Sequence, residues 1–255
     1  MKRKPLSRFA SSNVESRSIY FLFVAVSYSK DVIGDATLVS GADSISTRGI
    51  RLNPGTQLTY PVNLDHSWNL QSLFTYGFPI DWFSSNLNLN TGFGYSWSPG
   101  LVNSKLSVSK NTTISESVVL GSNISPEVDF TLSYSANYSI ARYSLQSEFN
   151  DKYFFHTGSL KFNWILGSGI VVRNEVAHTL YDGQQPGLDQ EFILWNAGIG
   201  KKFLENDKGE IQISVRDLLN KNQSLKRNVT DSYIENSTNM VLGRYVLMTF
   251  TYTIR

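Results

Sequence analysis

The 255-residue sequence contains no cysteine, three histidines and three methionines. The missing cysteine excludes a disulfide framework, a thiolate zinc site and a thiol nucleophile. No run approaches the roughly 18 consecutive apolar residues that a spanning helix requires. Charge is sparse, at 17% Asp, Glu, Lys and Arg, and nearly balanced at a formal +2. That balance gives no reason to invoke nucleic acid as a partner. The basic cluster Lys2, Arg3, Lys4 and Arg8 is short and terminal, and reads as a solvated end. Followed by the apolar run Ile19–Val26 it imitates a secretory leader. The polar and charged stretch between them argues for a strand instead.

What the chain does have is alternation. From Glu127 to Ala141 the even positions are Val128, Phe130, Leu132, Tyr134, Ala136, Tyr138 and Ile140. The odd positions are Asp129, Thr131, Ser133, Ser135, Asn137 and Ser139. Successive side chains of a strand point to opposite faces, so this stretch is one long strand with a greasy face and a wet face. Strands in globular proteins average about five or six residues. A strand crossing a bilayer needs about 9–11, with apolar side chains toward lipid and polar ones toward the lumen. Aromatic residues make up 13% of the chain, mostly Tyr and Phe, which suits aromatic belts at two membrane interfaces.

The same rhythm recurs. Residues 1–16 read as a flexible arm, and residues 17–255 as one barrel domain. Strand patterns cover Arg17–Tyr28, His66–Phe78, Trp82–Trp97, Thr112–Ile124, the stretch above, Tyr153–Leu166, Ile170–Tyr181, Phe192–Phe203, Glu210–Arg216 and Gly243–Arg255. In the first of these both parities are apolar, so its lipid side is not readable. The spacing predicts tight turns after 79, 124, 167 and 206, and longer polar loops near 29–61, 98–110, 142–152, 182–189 and 217–242. Outer-membrane barrels place short turns at one end and long loops at the other. The expected fold is therefore all-β: an antiparallel up-and-down transmembrane barrel of about ten strands, part of a larger one.

Parity also sorts the side chains. Val128, Phe130, Leu132, Tyr134, Tyr138, Ile140, Phe250 and Tyr252 are expected to face lipid. Lys161, Arg173, Glu175, Lys202 and Arg216 fall on the lumen parity. A charge on the lipid face near mid-membrane costs about 2–4 kcal/mol. Glu116 alone breaks the pattern, and a position near the membrane edge is expected for it.

Several phrases in order, LKFNWI (160–165), LWNAGIGKKF (194–203), KGEIQISVRDLLNKN (208–222) and RNVTDSYIENSTNMVLGRYVLMTFTYTIR (227–255), resemble the C-terminal end of TonB-dependent receptor-like outer-membrane proteins of the Bacteroidota type. YPVNLDHSW (60–68), YGFP (76–79) and DFTLSYSANY (129–138) resemble them too. The resemblance implies an importer of bulky nutrients in the cell outer membrane, with a barrel larger than ten strands, a plug and an energy-coupling segment. Neither of the last two is expected here, nor are the upstream strands, so the chain reads as a C-terminal part of such a barrel. Its expected partners are outer-membrane lipid, the barrel-assembly machinery, and the missing strands and plug. Arg216 replaces the aromatic residue more usual before DLLN, and Arg255 replaces a terminal aromatic one. The competing reading is a self-closed ten-strand barrel acting as a passive pore or adhesin.

No catalytic, cofactor or metal site is expected. His66, His156 and His178 lie in separate strands and read as unrelated wall residues. Asp217 reads as a turn former, and the glycine pairs around Phe93 and Ile199 lack the helix that a phosphate loop needs.

Overall fold

A computed structural model describes residues 6–13, 17–41, 45–47, 49–122, 124–145, 147, 150–183, 190–223, 225–229 and 234–254. Lys2, Arg3 and Lys4, most of the expected 182–189 loop and Arg255 lie outside the described residues. The strands are β1 (Leu6–Asn13), β2 (Ser18–Val39), β3 (Ile45–Thr47), β4 (Ile50–Leu52), β5 (Gln57–Ile80), β6 (Ser85–Val102), β7 (Lys105–Ser122) and β8 (Val128–Tyr143). They continue as β9 (Asp151–Ile165), β10 (Ile170–Gly183), β11 (Gln190–Phe203), β12 (Gly209–Arg216), β13 (Leu225–Val229), β14 (Ile234–Thr238) and β15 (Tyr245–Tyr252). Eleven of them form one sheet in the order β1-β2-β5-β6-β7-β8-β9-β10-β11-β12-β15, while β3–β4 and β13–β14 are separate hairpins. Neighbours along the sheet are antiparallel and run up and down. The protein is all-β, as its alternation predicts.

Each strand expected from the sequence is present, and several are longer. The arm over 1–16 gives way to β1, which pairs with β2 from Leu6↔Ala25 to Asn13↔Ser18. The loop near 29–61 shrinks because the β2–β5 ladder continues to Val39↔Gln57. That extension follows a break at Asp31, which adopts a left-handed φ of 54°. Near 98–110, Pro99-Gly100 does not turn the chain but stays paired with β7, opposite Val108 and Ser107. The reversal is made by Asn103 and Ser104, with φ of 48° and 64°. Two left-handed central residues are what a type I′ hairpin requires, and Asn tolerates that region well.

At one end of the sheet every connection is short: 14–17, 81–84, 123–127, 166–169 and 204–208. At the other lie 40–56, 144–150, 184–189 and 217–244 together with the tight 103–104 turn. The sheet does not close, because β1 and β15 are its two ends and do not pair with each other.

Among the described residues no second layer covers the sheet, and no core lies under it. The most buried apolar side chains gather mainly at the tips on the long-loop side, among them Ala36, Leu38, Val102, Ala141 and Tyr143. There the tip of β6 leaves β5 and joins β2 in parallel, at Ala36↔Leu101 and Thr37↔Val102. The Asn103 amide donates to the Thr37 carbonyl at 2.9 Å, and its side-chain oxygen accepts from the Val39 amide at 2.8 Å. One hydrogen bond is worth about 0.5–1.5 kcal/mol net. Asn103→Gly keeps the turn but deletes that acceptor. It is expected to speed hydrogen exchange of the Val39 amide by about three- to tenfold, with the middle of the sheet unchanged.

Candidate functional site

The registers turn alternation along each strand into rows across the sheet. Phe78, Leu87, Leu120, Leu132, Leu160, Val176 and Trp195 are successive cross-strand partners from β5 to β11. On the other face one such row reads Thr75, Asn90, Ser117, Ser135, Thr157 and Thr179. Thr75 donates to the Asn90 side chain at 2.8 Å, and the Ser133 and Ser159 hydroxyls meet at 2.7 Å.

Exposure is inverted relative to a protein folded in water. Leu132 is 49% exposed, Leu160 46% and Ile199 57%, whereas Ser139 and Ser214 on the polar face are 8% exposed. Val128, Phe130, Leu132, Tyr134, Tyr138 and Ile140 share the apolar face. Phe250 and Tyr252 join it through the row Val128, Trp164, Val172, Ile199, Ile213 and Met248. The sequence left the sides of β2 open. Tyr20 stacked on Tyr76 at 4.7 Å and Tyr28 against Trp68 at 4.8 Å place its even positions on this face.

Lys161, Arg173, Glu175, Lys202 and Arg216 all lie on the polar face, and most of them are joined. Lys161 Nζ sits 3.2 Å from Glu175, whose other oxygen accepts from Asn196 at 3.4 Å. Arg173 grips both carboxylate oxygens of Glu210, with Nη2 to Oε2 at 3.1 Å, and donates to Gln212 at 3.0 Å. These partners stand on β10 and β12, so the arginine reaches across β11. Gly198 and Gly200 make the reach possible. A Cβ on Gly200 would stand 2.9 Å from Glu210 Oε1, and one on Gly198 would stand 2.7 Å from Gln212 Nε2. Crowding on the polar side and open side chains on the apolar side are what a sheet curled toward its polar face produces.

The result is an open recess lined by Lys161, Arg173, Glu175, Asn196, Gln212 and Arg216. Arg216 is exposed and takes part in no ion pair among the described residues. Among the described residues, then, the recess is lined by the Lys161–Glu175 pair, by Arg173 held by Glu210, and by Arg216, which joins no ion pair. The arrangement can orient a polar or anionic solute by hydrogen bonding. Among the described residues no three His, Asp or Glu side chains converge to hold a metal.

Glu116 lies within β7 and accepts a 2.7 Å hydrogen bond from its cross-strand partner Thr91. That bond satisfies part of the carboxylate in place. His156 and His178, read as unrelated, are neighbours with ring centroids 5.3 Å apart, and His178 Nε2 meets Glu191 at 2.9 Å. The register of the β9–β10 hairpin makes them diagonal partners, and that register follows from the tight turn at 166–169. No protein-family model, curated protein or solved structure matches the chain.

The Arg173–Glu210 pair is more enclosed than Lys161–Glu175, with side chains 35% and 17% exposed against 58% and 33%. Exposed pairs contribute about 0–1 kcal/mol, and enclosed, doubly bonded ones more. Double-mutant cycles by urea unfolding are expected to give Arg173/Glu210 the larger coupling, about 1–2 kcal/mol. Gly200→Val should abolish that coupling while leaving Lys161/Glu175 intact.

Proposed function

We propose that this chain forms part of the wall of an outer-membrane β-barrel of the TonB-dependent receptor type, with its apolar face against lipid and its polar face lining an import path. The observation that carries the reading is the long apolar rows that no described residue covers, set back to back with hydroxyls, amides and ion pairs. Leaving a large apolar side chain in water forgoes about 1.5–3 kcal/mol of burial. A face built this way across a whole sheet is stable only where the surroundings are themselves apolar. The uniformly short turns at one end and the larger connections at the other support the same reading, with the short turns on the periplasmic side.

An importer role rests on the C-terminal phrases and on the character of the polar wall. Backbone groups in lipid must be hydrogen-bonded internally, so the outer edges of β1 and β15 pair with further strands of the wall. Lys161, Arg173, Glu175, Lys202 and Arg216 then face the solute path, and recognition of the solute belongs to this wall together with the loops.

Phe130→Arg and Ser133→Arg test the face assignment on a single strand. Phe130→Arg places a charge toward lipid at a cost of about 2–4 kcal/mol, and is expected to prevent assembly into lipid vesicles, read as loss of protease-protected, membrane-inserted protein. Ser133→Arg points to the water-filled side and is expected to assemble normally. Equal behaviour of the two variants contradicts the reading.

A further inference from the structure

On the apolar face, just beyond the band and toward the long-loop end, the registers bring cations together. Tyr28, Trp68, Trp97, Lys110 and Arg142 are successive partners across β2, β5, β6, β7 and β8. Lys30 stands opposite His66, and Lys152 opposite Ile140. The aromatic half of this row is ordered by stacking, with His66 lying flat on Trp97 at 4.6 Å and 6°. Lys30, Lys110, Arg142 and Lys152 are all exposed, and none joins an ion pair among the described residues. Two carboxylates adjoin the cations: Asp31 follows Lys30 in the chain, and Asp151, buried at 3% exposure, accepts from the Lys152 amide at 2.8 Å. Glu191 on β11 is held by His178 and Asp65 by His66, while Asp182 stands on β10 opposite Phe154. The result is an arc of four exposed cations over β2 and β7–β9 whose side chains join no ion pair among the described residues.

We propose that this arc binds the phosphates of anionic lipid headgroups in the leaflet at the long-loop end. The inference rests on the membrane reading above and adds the chemistry of the lipid. Amphipathic rings such as Trp68, Trp97 and Tyr28 sit at headgroup level when the surface below them meets acyl chains. Lys and Arg side chains one step further out extend their apolar stems over that boundary and carry their charge to the phosphate layer. Arg142 offers a planar fork suited to two phosphate oxygens, and the lysines supply point charges beside it. A free anion would have no use for the stacked rings or for the apolar rows beneath the cations. A lipid uses all three at once.

The tryptophans provide the test. In the full chain carrying Trp82→Phe, Trp164→Phe and Trp195→Phe, the two remaining indoles both lie in the row that ends in Lys110 and Arg142. The protein is reconstituted in phosphatidylcholine vesicles containing one-fifth phosphatidylglycerol, with bromine on the acyl chains of one lipid or the other. At equal bromolipid fractions, brominated phosphatidylglycerol is expected to quench at least twofold more strongly than brominated phosphatidylcholine. The triple variant Lys110→Gln, Arg142→Gln, Lys152→Gln should bring the ratio to one, as should raising the salt. Lys201→Gln, a cation at the opposite end of the same face, should keep the preference. Equal quenching by the two lipids in the unsubstituted arc, or a preference that survives the triple variant, overturns the headgroup proposal alone. Absence of quenching by either lipid overturns the membrane reading as well.

Discussion

The structure depends on one constraint. The antiparallel ladder hydrogen-bonds the backbone within a single sheet, so the side chains alone decide which surroundings each face accepts. In a water-soluble β protein the apolar face is covered by a second sheet or a helix layer. Here the rows through Leu132 and Leu160 have no such cover among the described residues, and the serines and threonines behind them are the more enclosed set. Strand pairing supplies the hydrogen bonds and the polar face supplies the side-chain network. The apolar face is left for the surroundings to satisfy.

Two packing regimes follow in one chain. Along the middle of the strands the apolar side chains splay outward, and the polar ones crowd around glycines such as Gly198 and Gly200. At the tips of β2 and β6 the usual order returns. Ala36, Leu38 and Val102 are buried there, and Asn103 ties two strands together through its backbone and side chain. The change occurs past the row of Tyr28, Trp68 and Trp97, where aromatic rings give way to Lys110 and Arg142. The ring-bearing row thus separates a band suited to hydrocarbon from tips packed as in water.

Much of this was legible because a period of two survives in the sequence wherever one face is uniformly apolar. β8 could be read residue by residue, and so could β6 and β12. β1 could not, since Leu6 and Phe9 fall on opposite parities and neither set is clean. β2 was visible as a strand but not as a face, and the contacts of Tyr20 with Tyr76 and of Tyr28 with Trp68 settle its orientation. Pro99-Gly100 carried a stronger turn signal than Asn103-Ser104, yet cross-strand pairing with β7 held the first pair extended. The charged wall residues were legible by parity, but their partners were not. Arg173 and Glu210 stand on strands that are not neighbours, and the pair exists because two glycines clear the strand between them. The approach of His156 to His178 needed the hairpin register, which local patterns do not supply.

The central claim is that the two faces of one sheet meet two different solvents. A nitroxide carried singly at each position from 128 to 140 of the membrane-reconstituted chain measures this directly through its collision rates with oxygen and with a water-soluble nickel chelate. Oxygen, which concentrates in hydrocarbon, should peak at Phe130, Leu132, Tyr134 and Tyr138, and the chelate at Thr131, Ser133, Ser135 and Asn137, the two profiles running out of phase. Profiles that rise and fall together, or uniformly low oxygen contact at the apolar positions, would contradict the account.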